Sequence, residues 1–334
     1  MSISTPESAT TNVVTSKLAT SGPATRRRSP FVLFFGRLIK EKPLGAVSAA
    51  VVVILVLMSV FAGALAPYDI EDFNAKDRLQ GPSAAHPLGT DHLGRDLLTR
   101  ILFGGRLSLF VGLSATAVNV LVALLVGGVS GYVGGRVDIV VQRFVDAWMA
   151  FPGLLLLLTI MSIVGRGVPQ VILVLGVTGG IAGSRVVRGA VIGVRENTYF
   201  QAAQTVGSPL GRTVVRHVIP NIAPVLIVIF SINIGGVIIS EASLSFLGFG
   251  LPIEVPSWGG LLSREGRTFM EQAPHLAVWP GLFLTITVYS LNNLGDAVRD
   301  LLDPRLRGEA GRYERVAPKP SRAVRPADAR SGNP

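Results

Sequence analysis

The sequence predicts an all-α, polytopic membrane protein with about six transmembrane helices, and three observations carry that reading. Hydrophobic residues fill 49% of the 334 positions and charged ones 16%, where soluble domains carry about 25% charged residues. Mean hydropathy is +0.51. The apolar residues also lie in unbroken runs: 46–66 is 21 residues without a charge, and 107–135 is 29. A bilayer core about 30 Å thick takes ~20 helical residues, so each run is long enough to span it. Lipid offers the backbone no hydrogen-bond partners, which leaves helices or closed barrels. The runs are continuous rather than alternating, so helices are expected.

Four further spans follow at 148–164, 168–184, 222–240 and 276–294. The first two of these are short and separated only by Gly165-Arg166-Gly167. One longer helix is the alternative, but Gly-Arg-Gly followed by Pro169 favours a hairpin turn. The run at 46–66 is too long for the core of a signal peptide and no small-residue cleavage site follows it, so it reads as an uncleaved anchor. Residues 1–30 are rich in Ser, Thr, Ala and Pro and end near Arg26-Arg27-Arg28; residues 306–334 are rich in Pro, Arg and Ala. Neither tail carries enough apolar surface for a core, and both read as disordered. There is no cysteine, which excludes disulfides, thiol catalysis and thiolate metal sites.

Charge sets the expected orientation. With the N-terminus inside and six spans, 23 of the 31 Lys and Arg fall on the inner side and 8 on the outer, while Asp and Glu divide 11 and 10. Net charge is about +12 inside against −2 outside, a positive-inside pattern that puts both termini in the cytoplasm of a cell-membrane protein. The high pI of 10.6 therefore reports topology and the lipid bilayer. No basic patch interleaved with aromatics appears, so nucleic acid is not a partner.

Between the fourth and fifth spans lies a polar cytoplasmic loop, 185–220. Tyr199, Ala202, Ala203 and Val206 fall at helical spacing. Gly207 suits a helix end, Ser208 an N-cap and Pro209 the first position of a second helix, and Pro220 starts or kinks the fifth span. The loop reads as two short helices around a Gly-Ser-Pro corner.

This loop resembles the cytoplasmic EAA loop of ABC importer permeases: Glu-Ala-Ala, three residues, Gly, nine residues, then Ile-x-Leu-Pro. Gln201, Ala202, Ala203, Gly207, Ile219 and Pro220 stand at those spacings. Gln201 replaces the usual Glu, and His217 stands where Ile is general, which is itself similar to the peptide and nickel branch. Residues 86–96, running from His86 through Gly89-Thr90-Asp91 to Gly94-Arg95-Asp96, are similar to the His-x-Leu-Gly-Thr-Asp-x-x-Gly-Arg-Asp stretch of peptide-type permeases. The stretches 130–135, 150–152, 241–248, 257–259 and 295–304 also match, and residues 31–81 resemble the N-terminal segment of C-type dipeptide and oligopeptide permeases. The resemblance covers about 31–305.

The resemblance implies a type I ABC importer permease fold. It implies an N-terminal segment with the first helix and the start of an external loop at 31–85, then a permease domain at 86–305 with its coupling loop at 196–220. The implied assembly is a heterodimer with a second permease subunit, two ABC ATPase subunits or one fused ATPase, and an extracytoplasmic substrate-binding protein. The implied solutes are di- and oligopeptides, with nickel complexes or glutathione as alternatives. In the family the loop is the coupling element seated in a groove of the ATPase.

No lysine sits in a Gly-x4-Gly-Lys-Ser/Thr loop, so no phosphate cradle for ATP is present, and any ATP is hydrolysed by partner subunits. The four histidines show no metal-ligand spacing on one helix; His86 and His92 are six apart in an external loop. No catalytic constellation stands out, and the chain is not read as an enzyme. An ion-coupled secondary transporter is the rival class, but it needs ionisable groups near the midplane, and Arg185, Arg188, Glu241, Asp296 and Arg299 lie at helix ends. Arg185 and Arg188 either snorkel to inner headgroups or, with Asp296 and Arg299, take part in a gate or the solute pathway. Paired glycines at 127/131, 131/135, 176/180 and 179/183 allow close helix approach, inside the chain or against a second subunit. Phe246, Phe249 and Trp258 in the outer loop serve docking, the pathway mouth or an interfacial anchor.

Overall fold

The computed structural model describes residues 30–196, 214–252 and 254–302. The tails lie almost wholly outside these, as does 197–213, which holds most of the expected coupling loop. Every described regular element is helical: α1 Pro30–Glu41, α2 Pro43–Val60, α3 Ala62–Leu65, α4 Leu97–Val133, α5 Gly135–Met149, α6 Gly153–Val164, α7 Val168–Arg195, α8 Ile219–Phe246, α9 Trp258–Leu261 and α10 His275–Leu302. Short 3-10 or π turns occupy Ala75–Asp77, Val214–Val218 and Leu262–Gly266.

The breaks have local causes. Pro43 opens α2, where a missing N–H costs nothing. Asp96 caps α4 by accepting from the Thr99 amide at 2.8 Å, so this helix starts ten residues before the expected apolar run and reaches 37 residues. Gly165, at φ +87°, ends α6 in a backbone conformation that glycine adopts without strain, and α7 begins three residues on. The hairpin reading of 165–167 is therefore the observed one.

Among the described residues four helices, α2, α4, α7 and α8, have the length and apolarity to cross a membrane, and the pair α5 and α6 makes a fifth if taken as one bent span. This corrects the expected third span at 148–164: Trp148 and Met149 belong to α5, and a 91° bend separates α5 from α6. The restriction that Pro152 places on Phe151 keeps that residue out of the helix. The expected sixth span, α10, has 28 residues but, with Trp279, Pro280, Asn292 and Asn293, falls outside the apolar set.

Packing gives the chain's path. Gly176, Gly180, Gly127 and Gly131 bring α4 and α7 together side by side and parallel. A Cβ on Gly180 would lie 2.7 Å from the Asn119 carbonyl, and one on Gly131 2.9 Å from that of Arg188. These glycines serve packing inside the chain. α8 runs antiparallel to α4, with Ile238 over Gly112, and α10 returns alongside α8, where a Cβ on Gly295 would meet the Ser231 carbonyl at 2.5 Å. Lys42 at the start of α2 pairs with Asp300 near the end of α10 at 2.5 Å. The start of α2, the end of α10 and both edges of the 197–213 segment thus share one end of the bundle, the proximal end. The loop at 67–96 and the α9 region share the distal end. The apolar windows of the four spans are only 22–44% buried within the chain, so most of that surface faces lipid or another subunit.

Candidate functional site

At the proximal end the described residues give the footing of the expected coupling loop. Gln201, Ala202, Ala203, Gly207, Ser208 and Pro209 lie outside the described residues. His217 falls in the π turn Val214–Val218, and Ile219 and Pro220 open α8, with proline in its first turn. Val218 and Ile222 are buried in one apolar cluster with Val187, Val191 and Val194 of α7 and Ala123 of α4. Both edges of the loop are therefore rooted in the same packed core, and a displacement of one edge bears on α7 and α8 together.

Arg188 holds Asp138 with two charge-assisted bonds, Nε to Oδ1 at 2.6 Å and Nη2 to Oδ2 at 2.5 Å. Arg185 pairs with Asp146, and Arg195 donates to the Tyr132 carbonyl at 3.2 Å. The two candidate gate arginines on α7 thus strap it to α5. Asp296 and Arg299 are exposed on α10, whose own ion pair near there joins Asp300 to Lys42. Asp138 and Asp146, the partners that sequence reasoning missed, had a signal: two acids on an otherwise amphipathic stretch, eight residues apart and so on one helix face.

The distal end is built differently. Residues 86–96 fold into a knot in which Asp91 Oδ1 accepts from the amides of Leu93 at 2.7 Å and Arg95 at 2.9 Å. Asp91 Oδ2 binds Arg95 Nε at 2.6 Å and lies 3.4 Å from Arg100 Nη1. Glu265 Oε1 is 3.1 Å from Arg100 Nη2 and 3.3 Å from Arg95 Nη2. Asp91, Glu265 and Arg100 are all buried. Burial pushes the Glu265 carboxyl up, with the Arg100 charge pulling it back. His92 is pushed down by its own burial, against the neighbouring Asp91 charge. Asp91, His92 and Glu265 bring ligand atoms within 4.8 Å of one another, but the two guanidiniums already neutralise both carboxylates, so the group does not call for a cation. His86 is occupied with Asp96, Nδ1 to Oδ1 at 3.0 Å.

Beside this network, Glu241 of α8 is fully buried and held by hydroxyls, Ser245 at 2.8 Å and Ser108 at 3.3 Å. Ser108 in turn accepts from the Trp258 amide at 3.2 Å, and Trp258 Nε1 donates to the Ile101 carbonyl at 3.1 Å. Trp258 is 1% exposed: it pins the α9 segment to α4 and is neither a docking residue nor an interfacial anchor.

Two family profiles match the sequence. The one described as "Binding-protein-dependent transport system inner membrane component" covers 123–308, and the "N-terminal TM domain of oligopeptide transport permease C" covers 29–82. The glutathione transport system permease protein GsiD of Pectobacterium atrosepticum is 39% identical over 84% of this chain and 93% of its own length. The GsiD protein of Escherichia coli O157:H7 is 37% identical over 84% and 92%. The chain belongs to the permeases of binding-protein-dependent ABC importers, in their dipeptide and oligopeptide branch. A chain from inward-facing structures of the MetNI methionine ABC transporter overlaps it more loosely, at TM-score 0.45 and 18% identity over 58% of this chain and 94% of that one. The permease is a multi-pass inner-membrane protein and a transport subunit, not an enzyme. It works with a partner ATPase and a substrate-binding protein, which sets aside the ion-coupled secondary transporter.

Proposed function

We propose that this permease forms half of a heterodimeric translocation pathway for di- and oligopeptides, and that residues 196–220 couple it to its ATPases. The supporting observation is the shared footing of the loop, with Val187, Val191, Val194, Val218 and Ile222 in one buried cluster. Moving a two-state pathway from 1:99 to 99:1 takes about 5.5 kcal/mol, and a loop rooted in packed α7 and α8 carries such a load where a tether does not. ATP binding closes the ATPases, the loop moves with them, and α7 and α8 follow. In this reading Gln201, Ala202, Ala203, Gly207, Ser208, Pro209 and His217 sit on the ATPase side, and Ile219 and Pro220 fix the exit into α8. The charge split of about +12 and −2 supports a cytoplasmic proximal end, with both termini on that side. The domain division at 85/86 belongs to the same reading, with 31–85 as an added N-terminal helix and 86–305 as the permease core.

Glutathione is a second reading, favoured by the relatives named for its transport, and nickel complexes are the other alternative. The test is uptake into proteoliposomes holding the full assembly, with labelled dialanine, glutathione and nickel as competing solutes. We expect ATP-driven uptake of dialanine by the wild-type assembly, and its loss with Gly207→Val while assembly of the two permeases persists. A β-branched residue fits poorly where a corner needs positive φ. Normal uptake by Gly207→Val overturns the coupling role, and nickel-only uptake overturns the peptide reading.

A further inference from the structure

At the distal end, four separate stretches of chain enclose one cavity of about 140 Å³. They are the end of α8 with Ser245 and Gly248, the loop after it, the π turn with Arg264 and Glu265, and the α6–α7 turn that brings in Arg166. Arg100 lies beneath. The volume is well above the roughly 10–15 Å³ that one water requires, and leaves room for a carboxylate and its first carbons.

The charges on the walls are unequal. Under the cavity, Asp91 and Glu265 are matched by Arg95 and Arg100 in the network described above. Arg166 and Arg264 are additional, and neither makes an ion pair or side-chain hydrogen bond among the described residues. Glu265, already shared by Arg95 and Arg100, and Glu254 attract Arg264 without a direct ion pair, and Arg166 repels it. Partial burial pulls the Arg264 guanidinium below its ordinary range, against the attraction of the neighbouring Glu265 and Glu254 charges. The buried floor is unsatisfied too: Arg100 Nε and Glu265 Oε2 have no hydrogen-bond partner. Two unpaired planar forks on one enclosed cavity match the geometry of a carboxylate, which guanidinium binds through paired N–H donors.

We propose that this cavity is a subsite for a carboxylate of the imported solute, with Arg166 and Arg264 as its ligands. The proposal rests on the import reading and adds to it a recognition element in the permease itself. It also gives a use to the turn Gly165-Arg166-Gly167, whose exposed arginine reaches the segment just after α8: Arg166 Nη2 would lie 3.8 Å from a Cβ on Gly248.

The test is equilibrium binding to the assembled transporter in nanodiscs, without its binding protein. The probes are labelled dialanine, reduced glutathione, and dialanine amide, which lacks the carboxylate. Arg166→Gln with Arg264→Gln should weaken dialanine and glutathione about tenfold or more and leave the amide unchanged, because the lost donors meet only the carboxylate. Docking of the solute-free binding protein should be unaltered. Equal dialanine and glutathione affinity in variant and wild type, or no binding of either to the wild type, overturns the site. An equal loss for the amide does so as well, since that signals distortion. Impaired docking with unchanged solute affinity assigns the arginines to an acidic surface of the binding protein and also overturns it. Failure of ATP-driven uptake in wild-type proteoliposomes is a separate readout and counts against the import reading, not the subsite.

Discussion

The two ends of the bundle hold their charges in opposite ways. At the distal end Asp91 and Glu265 are 0% and 2% exposed, each shared between two arginines. At the proximal end Arg188 and Asp138 keep 32% and 16% of their side-chain surface in solvent, and Arg185 and Asp146 keep 44% and 46%. A buried network has no water to fall back on, so it holds one arrangement or fails. A solvated pair is exchanged for hydration at little cost. The distal end is therefore built to keep one shape, while the proximal straps between α5 and α7 are of the kind that breaks and re-forms during a cycle.

Substitutions can break or sharpen this contrast. The largest effect is expected from Arg100→Ala, which leaves two buried carboxylates short of charge at about 3–5 kcal/mol. The chain should disappear from membranes or unfold at far lower temperature in detergent; an unchanged unfolding midpoint would mean that water reaches the network. Next comes Gly180→Val, which drives a side chain against the Asn119 carbonyl and Val122. Overpacking of this kind costs about 1–3 kcal/mol, visible as reduced abundance of an assembled permease, and a wild-type level would show that α4 and α7 separate without penalty. The smallest stability effect belongs to Arg188→Gln, about 1 kcal/mol or less for a partly solvated pair. Its thermal stability should match wild type while ATP-driven uptake changes, and a large loss of stability would make the proximal pairs structural like the distal ones.

The fold was legible where composition alone decides it. Uncharged runs of the right length gave α2, α4, α7 and α8, and the Gly-Arg-Gly turn with Pro169 separated α6 from α7. The bend between α5 and α6 was not, because Trp148, Met149 and Phe151 continue the apolar run and hide the corner that Pro152 makes. The paired glycines announced close packing without saying against what; only the parallel course of α4 and α7 makes it internal. At the distal end the partners are remote, Arg95 and Glu265 lying 170 residues apart, and no local pattern connects them. Trp258 read as an outer-loop aromatic because nothing in its neighbours reveals the Ser108 and Ile101 atoms that receive it. Of the proximal site, the spacing of Gln201, Gly207 and Pro220 is the whole ground for the proposed loop, and its footing on Val187, Val191 and Ile222 waited for the packing.

The central claim is that residues 196–220 face and engage the ATPase. The chain has no cysteine, so Ala203→Cys provides one unique handle. With the complete transporter in native membranes, a short thiol crosslinker should join position 203 to the ATPase subunit, and the yield should change between nucleotide-free and ATP-bound states. Labelling of that cysteine by a membrane-impermeant reagent added outside intact cells, with no crosslink to the ATPase, would contradict both the orientation and the coupling role.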